Sequence, residues 1–269
     1  MSGSFLGSIV KDVERRLEQR KREVPLTEAS KAADPAATVR AAGSAPVSLR
    51  QALAAPGMSV IAEVKRWSPS RGALRPGLNV QEIAASYQEA GAAAISVLTE
   101  EDHFRGSLQD LVRAVEVTRL PVLRKDFIVD EYQLLEARGA GASAVLLILA
   151  LLDGDRYREL ARAARRLNLE VLAEVHGERE LEQALTVEEA VIGINNRNLS
   201  TFQVDLNTTL RLKKALPEDR LVVSESGVRT RGDVRHLEAS GVDGVLVGER
   251  LVTSENPGET VRYLRGDGR

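Results

Sequence analysis

From Val60 onward, short apolar runs rich in Val, Ile and Leu alternate with longer amphipathic stretches. The runs are VIAEVK at Val60, AISVLT at Ala94, PVLRKDF at Pro121, AVLLIL at Ala144, EVLAEV at Glu170, VIGINN at Val191, LVVSES at Leu221 and GVLVGE at Gly244. Near-continuous apolarity, in place of strict alternation, marks strands buried on both faces and implies a parallel sheet covered by helices. Eight such runs are what a closed (β/α)8 TIM barrel needs.

The stretches between the runs predict helices. Val80, Ile83, Ala84 and Tyr87 share one face, as do Leu108, Leu111, Val112 and Val115, and again Tyr157, Leu160, Ala164 and Leu167. Gly91, Gly139 and Gly241 each fall just past a helical run, where a left-handed C-cap favours glycine. Asp130 with Gln133, and Ser107 with Asp110, have capping-box spacing. Before Val60 the pattern changes. A charged helix carries Leu6, Val10, Val13 and Leu17 on one side, followed by an Ala/Pro/Ser-rich stretch with a short helix near Leu49–Ala54. Residues 1–59 hold too little apolar material for a core of their own. They are expected to form a helical extension packed on a single barrel domain, residues 60–269. An open doubly wound sheet is the alternative, but its first strand would lead into KRWSPSRG, which lacks G-x-G-x-x-G.

Composition narrows the function. The 269 residues carry 37 Lys+Arg against 39 Asp+Glu, so there is none of the basic excess expected of a nucleic-acid binder. With no cysteine and only three histidines, a thiolate nucleophile is excluded and a metal cage is unsupported. The expectation is no metal and no cofactor. Neither a signal peptide nor a membrane-length apolar run is present, so a cytoplasmic protein with no membrane or nucleic-acid partner is expected, as a monomer or weak homo-oligomer.

Barrels of this kind present functional groups at the C-terminal ends of their strands. Collecting those ends brings together Glu63 and Lys65, then Lys125, Glu174, Asn195, Arg197, Glu225 and Ser226. Ionisable residues inside apolar strands cost several kcal/mol to bury unless paired. Any one pair could be a plain salt bridge filling the barrel, but the whole set at one end points to a site. Ser226-Gly227 and Gly248 follow the seventh and eighth runs, where this fold often holds phosphate on backbone N–H groups. His236 reads as a surface residue, Trp67 as loop packing, and His176, just past the fifth run, as standing outside the chemistry.

The motifs IAEVKRWSPSRG, HFRGS, LRKDFIVDEYQ, LAEVH, GINNRNL, SESGV and VGE, in this order, resemble the indole-3-glycerol-phosphate synthase family. That resemblance implies a carbon–carbon lyase of tryptophan biosynthesis. Its substrate would be 1-(2-carboxyphenylamino)-1-deoxyribulose 5-phosphate, cyclised to indole-3-glycerol phosphate with loss of CO2 and water and without a cofactor. It also implies Lys125 as general acid, Glu174 as general base, and Lys65 as a group orienting the substrate or acting as acid in a later step. Glu63, Asn195 and Glu225 would complete the polar shell. Ser226, Gly227 and Gly248 would hold phosphate, Arg197 would position the anion, and Phe104 and Phe127 would wall the aromatic ring. Trp67 departs from the small or basic residue common at its position, the N-terminal linker diverges, and Glu249 is expected to face away from the phosphate. A phosphoribosyl isomerase-type barrel enzyme and a non-catalytic phosphometabolite-binding module remain as alternatives.

Overall fold

The computed structural model describes residues 5–34 and 47–267. Eight parallel strands close on themselves: β1 (Ser59–Val64), β2 (Ala94–Leu98), β3 (Val122–Lys125), β4 (Ala144–Ile148), β5 (Glu170–Val175), β6 (Val191–Asn195), β7 (Val222–Glu225) and β8 (Gly244–Val247). Each strand pairs with its sequence neighbour, and β8 returns to β1 through Ser59–Ala62. All eight predicted strands are present, and the fold is the (β/α)8 barrel.

Outside the sheet lie α4 (Val80–Glu89), α5 (Leu108–Val117), α6 (Glu131–Gly139), α7 (Gly154–Arg166), α8 (Glu178–Ala184), α9 (Asn207–Lys213), α10 (Arg231–Ala239), α11 (Glu249–Val252) and α12 (Pro257–Arg265). Asp130 and Gln133 form the reciprocal capping box expected of them. Ser107 caps α5, but the Asp110 carboxylate goes to Arg66, at 2.7 and 3.1 Å. A bidentate guanidinium is a stronger partner than a backbone N–H. Gly91 and Gly241 take left-handed φ values of +80° and +78°. The third such residue is Gly141, at +85°; Gly139 is the last residue of α6.

Period-two geometry divides each strand between two cores. Val60, Ala62 and Val64 face the helices, whereas Ile61 joins Leu123, Leu146, Leu172, Val223 and Leu246 inside the barrel. The extension contributes three helices, α1 (Phe5–Glu23), α2 (Leu26–Ala32) and α3 (Leu49–Leu53). The α2 segment had no clear sequence signal, and residues 35–46 of the Ala/Pro/Ser-rich stretch lie outside the described residues. On α1 the buried positions are Ile9, Val13 and Leu17, with Val10 only half-buried. Helix α3 inserts Leu49 and Leu53 into the interior cluster, alongside Ile61 and Leu123.

That plug should be measurable in unfolding. Leu53, 1% exposed, leaves a cavity when truncated, so Leu53→Ala is expected to lower stability by about 2–5 kcal/mol in denaturant titration. A loss below about 0.5 kcal/mol, the scale of ordinary surface changes, would show that α3 does not seal the barrel floor.

Candidate active site

Above the apolar floor, the inward positions turn polar. On β1, Ile61 is followed two residues on by Glu63 and then Lys65; on β5, Leu172 is followed by Glu174 and His176; on β3, Leu123 by Lys125; on β7, Val223 by Glu225. Of these, Glu63, Lys65, Lys125, Glu174 and Glu225 line a cavity of about 740 Å³ at the C-terminal end of the strands, and His176 stands behind Glu174. Leu6 and Ile9 of α1 also line it, so the extension walls part of the mouth.

At the centre stands Lys125. Its Nζ lies 3.1 Å from Glu174 Oε2 and 3.3 Å from Glu225 Oε2. Burial works to lower its pKa, but Glu174, Glu225 and Glu63 outweigh it and hold the ammonium firmly protonated. Burial likewise opposes ionisation of Glu174, yet Lys125, His176 and Asn195 keep it well below the usual carboxylate range. Asn195 Nδ2 donates to Glu174 Oε1 at 3.1 Å. Glu225 is pushed up to about 7, chiefly by burial, with the neighbouring Glu174 charge adding to the rise and Lys125 opposing it.

Lys65 has the opposite balance. Its nearest carboxylate oxygen, Glu63 Oε1, is 3.9 Å away, and its Nζ sits 5.2 Å from the Phe104 ring centroid. Burial lowers its pKa, Lys125 and Arg197 lower it further, and Glu63 only partly offsets them. Phe104 and Phe127 face each other across 6.0 Å, tilted by 38°, as one aromatic wall. Arg197 lines the cavity, with Nη1 donating to Phe202 O at 3.2 Å.

At the seventh strand end, Ser226 (φ +64°) and Gly227 (φ +95°) are successive left-handed residues. Successive N–H groups in such turns form anion-binding concavities. Buried Asn196 braces this turn, donating from Nδ2 to the Glu225 and Ser226 carbonyls, both at 3.0 Å. Gly248 has a further role beyond a turn: a Cβ there would collide with the Glu63 carboxylate. Gly193 is missing a Cβ for the same reason, because Glu225 Oε1 occupies that space. Glu249 lines the mouth instead of facing away, and its carboxylate pairs with Arg71 at 2.9 Å.

All twelve predicted site residues therefore line or adjoin one cavity. Sequence reading missed Asn196 and Gly193, and set aside His176, whose Nε2 lies 3.3 Å from Glu174 Oε1. The signal was available: Gly193 shares the parity of Asn195, and His176 that of Glu174. Of the other histidines, His103 lies 3.2 Å from Asp12 and His236 is exposed. Among the described residues, no group of three or more His, Asp or Glu is arranged to hold a metal ion. No helix among them is long and apolar enough to cross a membrane.

The family model for indole-3-glycerol phosphate synthase matches residues 6–264. The chain belongs to the indole-3-glycerol phosphate synthase family. A synthase of that name from Carboxydothermus hydrogenoformans is 44% identical over 265 residues, covering 97% of this chain and 99% of the relative. One from Albidiferax ferrireducens is 50% identical over 216 residues, 80% of this chain and 82% of the relative. Solved structures share the fold at lower identity. The 3-hexulose-6-phosphate synthase of Salmonella typhimurium has a TM-score of 0.61 at 14% identity, covering 78% of this chain and 98% of its own. A tryptophan synthase α-subunit from Pyrococcus furiosus has a TM-score of 0.57 at 16% identity, covering 77% and 98%.

Within this family frame, Trp67 is a clasp between two loops. It pairs in a short antiparallel ladder with Ala73, and the Arg105 guanidinium lies 3.8 Å from its ring centroid. Trp67 is the only tryptophan, so its emission reports this stack directly. Arg105→Ala should expose the ring and shift its emission to longer wavelength; an unchanged spectrum would show the stack is not populated in solution.

Proposed function

We propose that the chain performs its family's reaction, cyclising 1-(2-carboxyphenylamino)-1-deoxyribulose 5-phosphate to indole-3-glycerol phosphate with release of CO2 and water. One observation carries this reading: two lysines from different strands enter a single cavity, one clamped between carboxylates and the other shifted down. The substrate brings a carboxylate, a phosphate and an aromatic ring. Lys65 and Arg197 match the anionic groups, and the Phe104–Phe127 wall matches the ring. Backbone N–H groups at Ser226, Gly227 and Gly248 hold the phosphate.

Cyclisation begins when the ring carbon bearing the carboxylate attacks the ketone carbon. A C–C bond forms, the carbonyl π pair moves to oxygen, and Lys125 donates a proton there. Its tightly held proton moves because the developing alkoxide is a far stronger base than an amine. The ring nitrogen becomes an iminium, an electron sink for the pair released when the C–CO2 bond breaks. Dehydration follows. The hydroxyl leaves as water with a proton from Lys65, whose lowered pKa suits proton release. Glu174 removes a proton from the adjacent carbon, and that C–H pair becomes the last double bond of the indole. Glu63, Asn195 and Glu225 keep these groups charged and aimed.

An isomerase-type barrel would use the same phosphate loops, but it has no need for two strand-end lysines with paired glutamates. This reading sets a small phosphorylated metabolite as partner and a cytoplasmic, monomeric or weakly oligomeric enzyme. Incubating the protein with the anilino-ribulose phosphate should raise indole fluorescence. A signal no higher than the enzyme-free control, from folded protein, would overturn the proposal.

Two further outcomes are specific to the lysines. Lys125→Met is expected to cut kcat by about 10²- to 10⁴-fold while a product analogue still binds; near-normal kcat would remove Lys125 from the acid role. Because Lys65 works protonated and its pKa is lowered, activity should fall as pH rises through a value below the ordinary lysine range. Glu63 opposes that lowering, so Glu63→Gln should move the alkaline limb of kcat/KM to still lower pH. A limb that stays in place would show that Lys65 does not govern it.

A further inference from the structure

One half-buried titratable group beside Glu174 takes no part in these steps. His176 follows β5 immediately, on the inward parity of Leu172 and Glu174. Its Nδ1 is 3.1 Å from Glu180 Oε2, and the same oxygen accepts its backbone N–H at 2.7 Å. Its Nε2 is 3.3 Å from Glu174 Oε1, which also accepts from Asn195 Nδ2. Lys125 occupies the other oxygen of Glu174. The imidazole is thus hydrogen-bonded at Nδ1 and at ion-pair distance from Glu174 at Nε2, so the Glu174 carboxylate is approached from three elements, β3, β6 and the β5 end.

We propose that His176 is a positioning residue for the reaction: braced by Glu180, its imidazole holds the Glu174 carboxylate in the orientation from which it removes the substrate's proton. This inference rests on the reading of Glu174 as general base. A histidine between two acceptors donates from both nitrogens only when protonated. Burial pulls its pKa down, but hydrogen bonds and charge from Glu174 and Glu180 prevail and push it up to about 10. The charged groups facing it are Glu174 from β5 and Glu180 from α8; Lys125 from β3 and Glu225 from β7 lie one contact further, around Glu174. A cation beside Glu174 favours its ionised form, the form a base requires.

The test is the pH profile of kcat for His176→Gln, Glu180→Gln and Glu174→Gln beside the unaltered enzyme. His176→Gln is expected to lower kcat about tenfold or more with KM within about twofold, since it disturbs a group acting in the transition state. Its acid limb should move to higher pH, because losing the imidazolium makes Glu174 easier to protonate. Glu180→Gln, at a more exposed position, should shift the limb the same way by less, and serves if His176→Gln fails to fold. A purely structural role would lower kcat evenly across pH without moving the limb. Should Glu174→Gln stay active, the general-base reading fails. If Glu174→Gln is inactive while the other two keep the original limb, the positioning role alone is overturned.

Discussion

The arrangement depends on keeping Lys125 charged inside a nearly closed barrel. Taking an ammonium out of water costs several kcal/mol unless its partners are close and well oriented. Glu174 and Glu225 meet that requirement from β5 and β7, within 3.1 and 3.3 Å. Two carboxylates against one cation leave excess negative charge, which is relieved in two ways. Glu225 is pushed towards its neutral form, while His176 and Asn195 stabilise the charge on Glu174. The cluster also needs room, which Gly193 and Gly248 supply by having no side chain where the Glu225 and Glu63 carboxylates lie.

Behind the inward-facing lysine, the same strand is locked from outside. Arg124, fully buried, reaches Asp126 at 2.9 Å, Thr99 at 3.1 Å, the Gln133 carbonyl at 2.6 Å and Glu136 at 3.2 Å. Glu136 in turn accepts Arg20 of α1 at 2.6 Å. The R-K-D sequence therefore splits by parity: Lys125 turns to the cavity, while Arg124 and Asp126 fasten β3 to α6 and to the extension. Helix α1 also engages the loop after β2 through Arg16 with Glu101 and Asp102. The extension consequently touches both ends of the barrel, with α3 sealing the floor and α1 bordering the mouth.

Much of the site was legible because parallel barrel strands end together at one rim. Polar residues terminating otherwise apolar runs had to converge there, and Glu63, Lys65, Lys125, Glu174, Asn195 and Glu225 do. What escaped were residues whose meaning depends on a partner. Gly193 reads as an ordinary small residue until Glu225 is seen filling the space beside it. Asn196 looks like a second copy of Asn195, yet it turns away and braces the Ser226 turn. His176 keeps the inward parity of Glu174 but lies one residue past the end of β5, and only its closeness to Glu174 gives it meaning; Glu249 lines the mouth paired with an arginine from a different loop.

Local order along this chain follows from what is near in sequence: apolar runs, helical stripes, caps and the alternation that sends Lys65 and Lys125 inward. Those features set the number of strands, their parallel packing and the identity of the groups at the rim, because each depends on residues a few positions apart. Charge state and aim were decided elsewhere. Lys125 is held protonated and Lys65 is shifted down through burial and through carboxylates contributed by other strands. Electrostatic free energy depends on distances through space and on exclusion of water, and only the closed barrel sets either one.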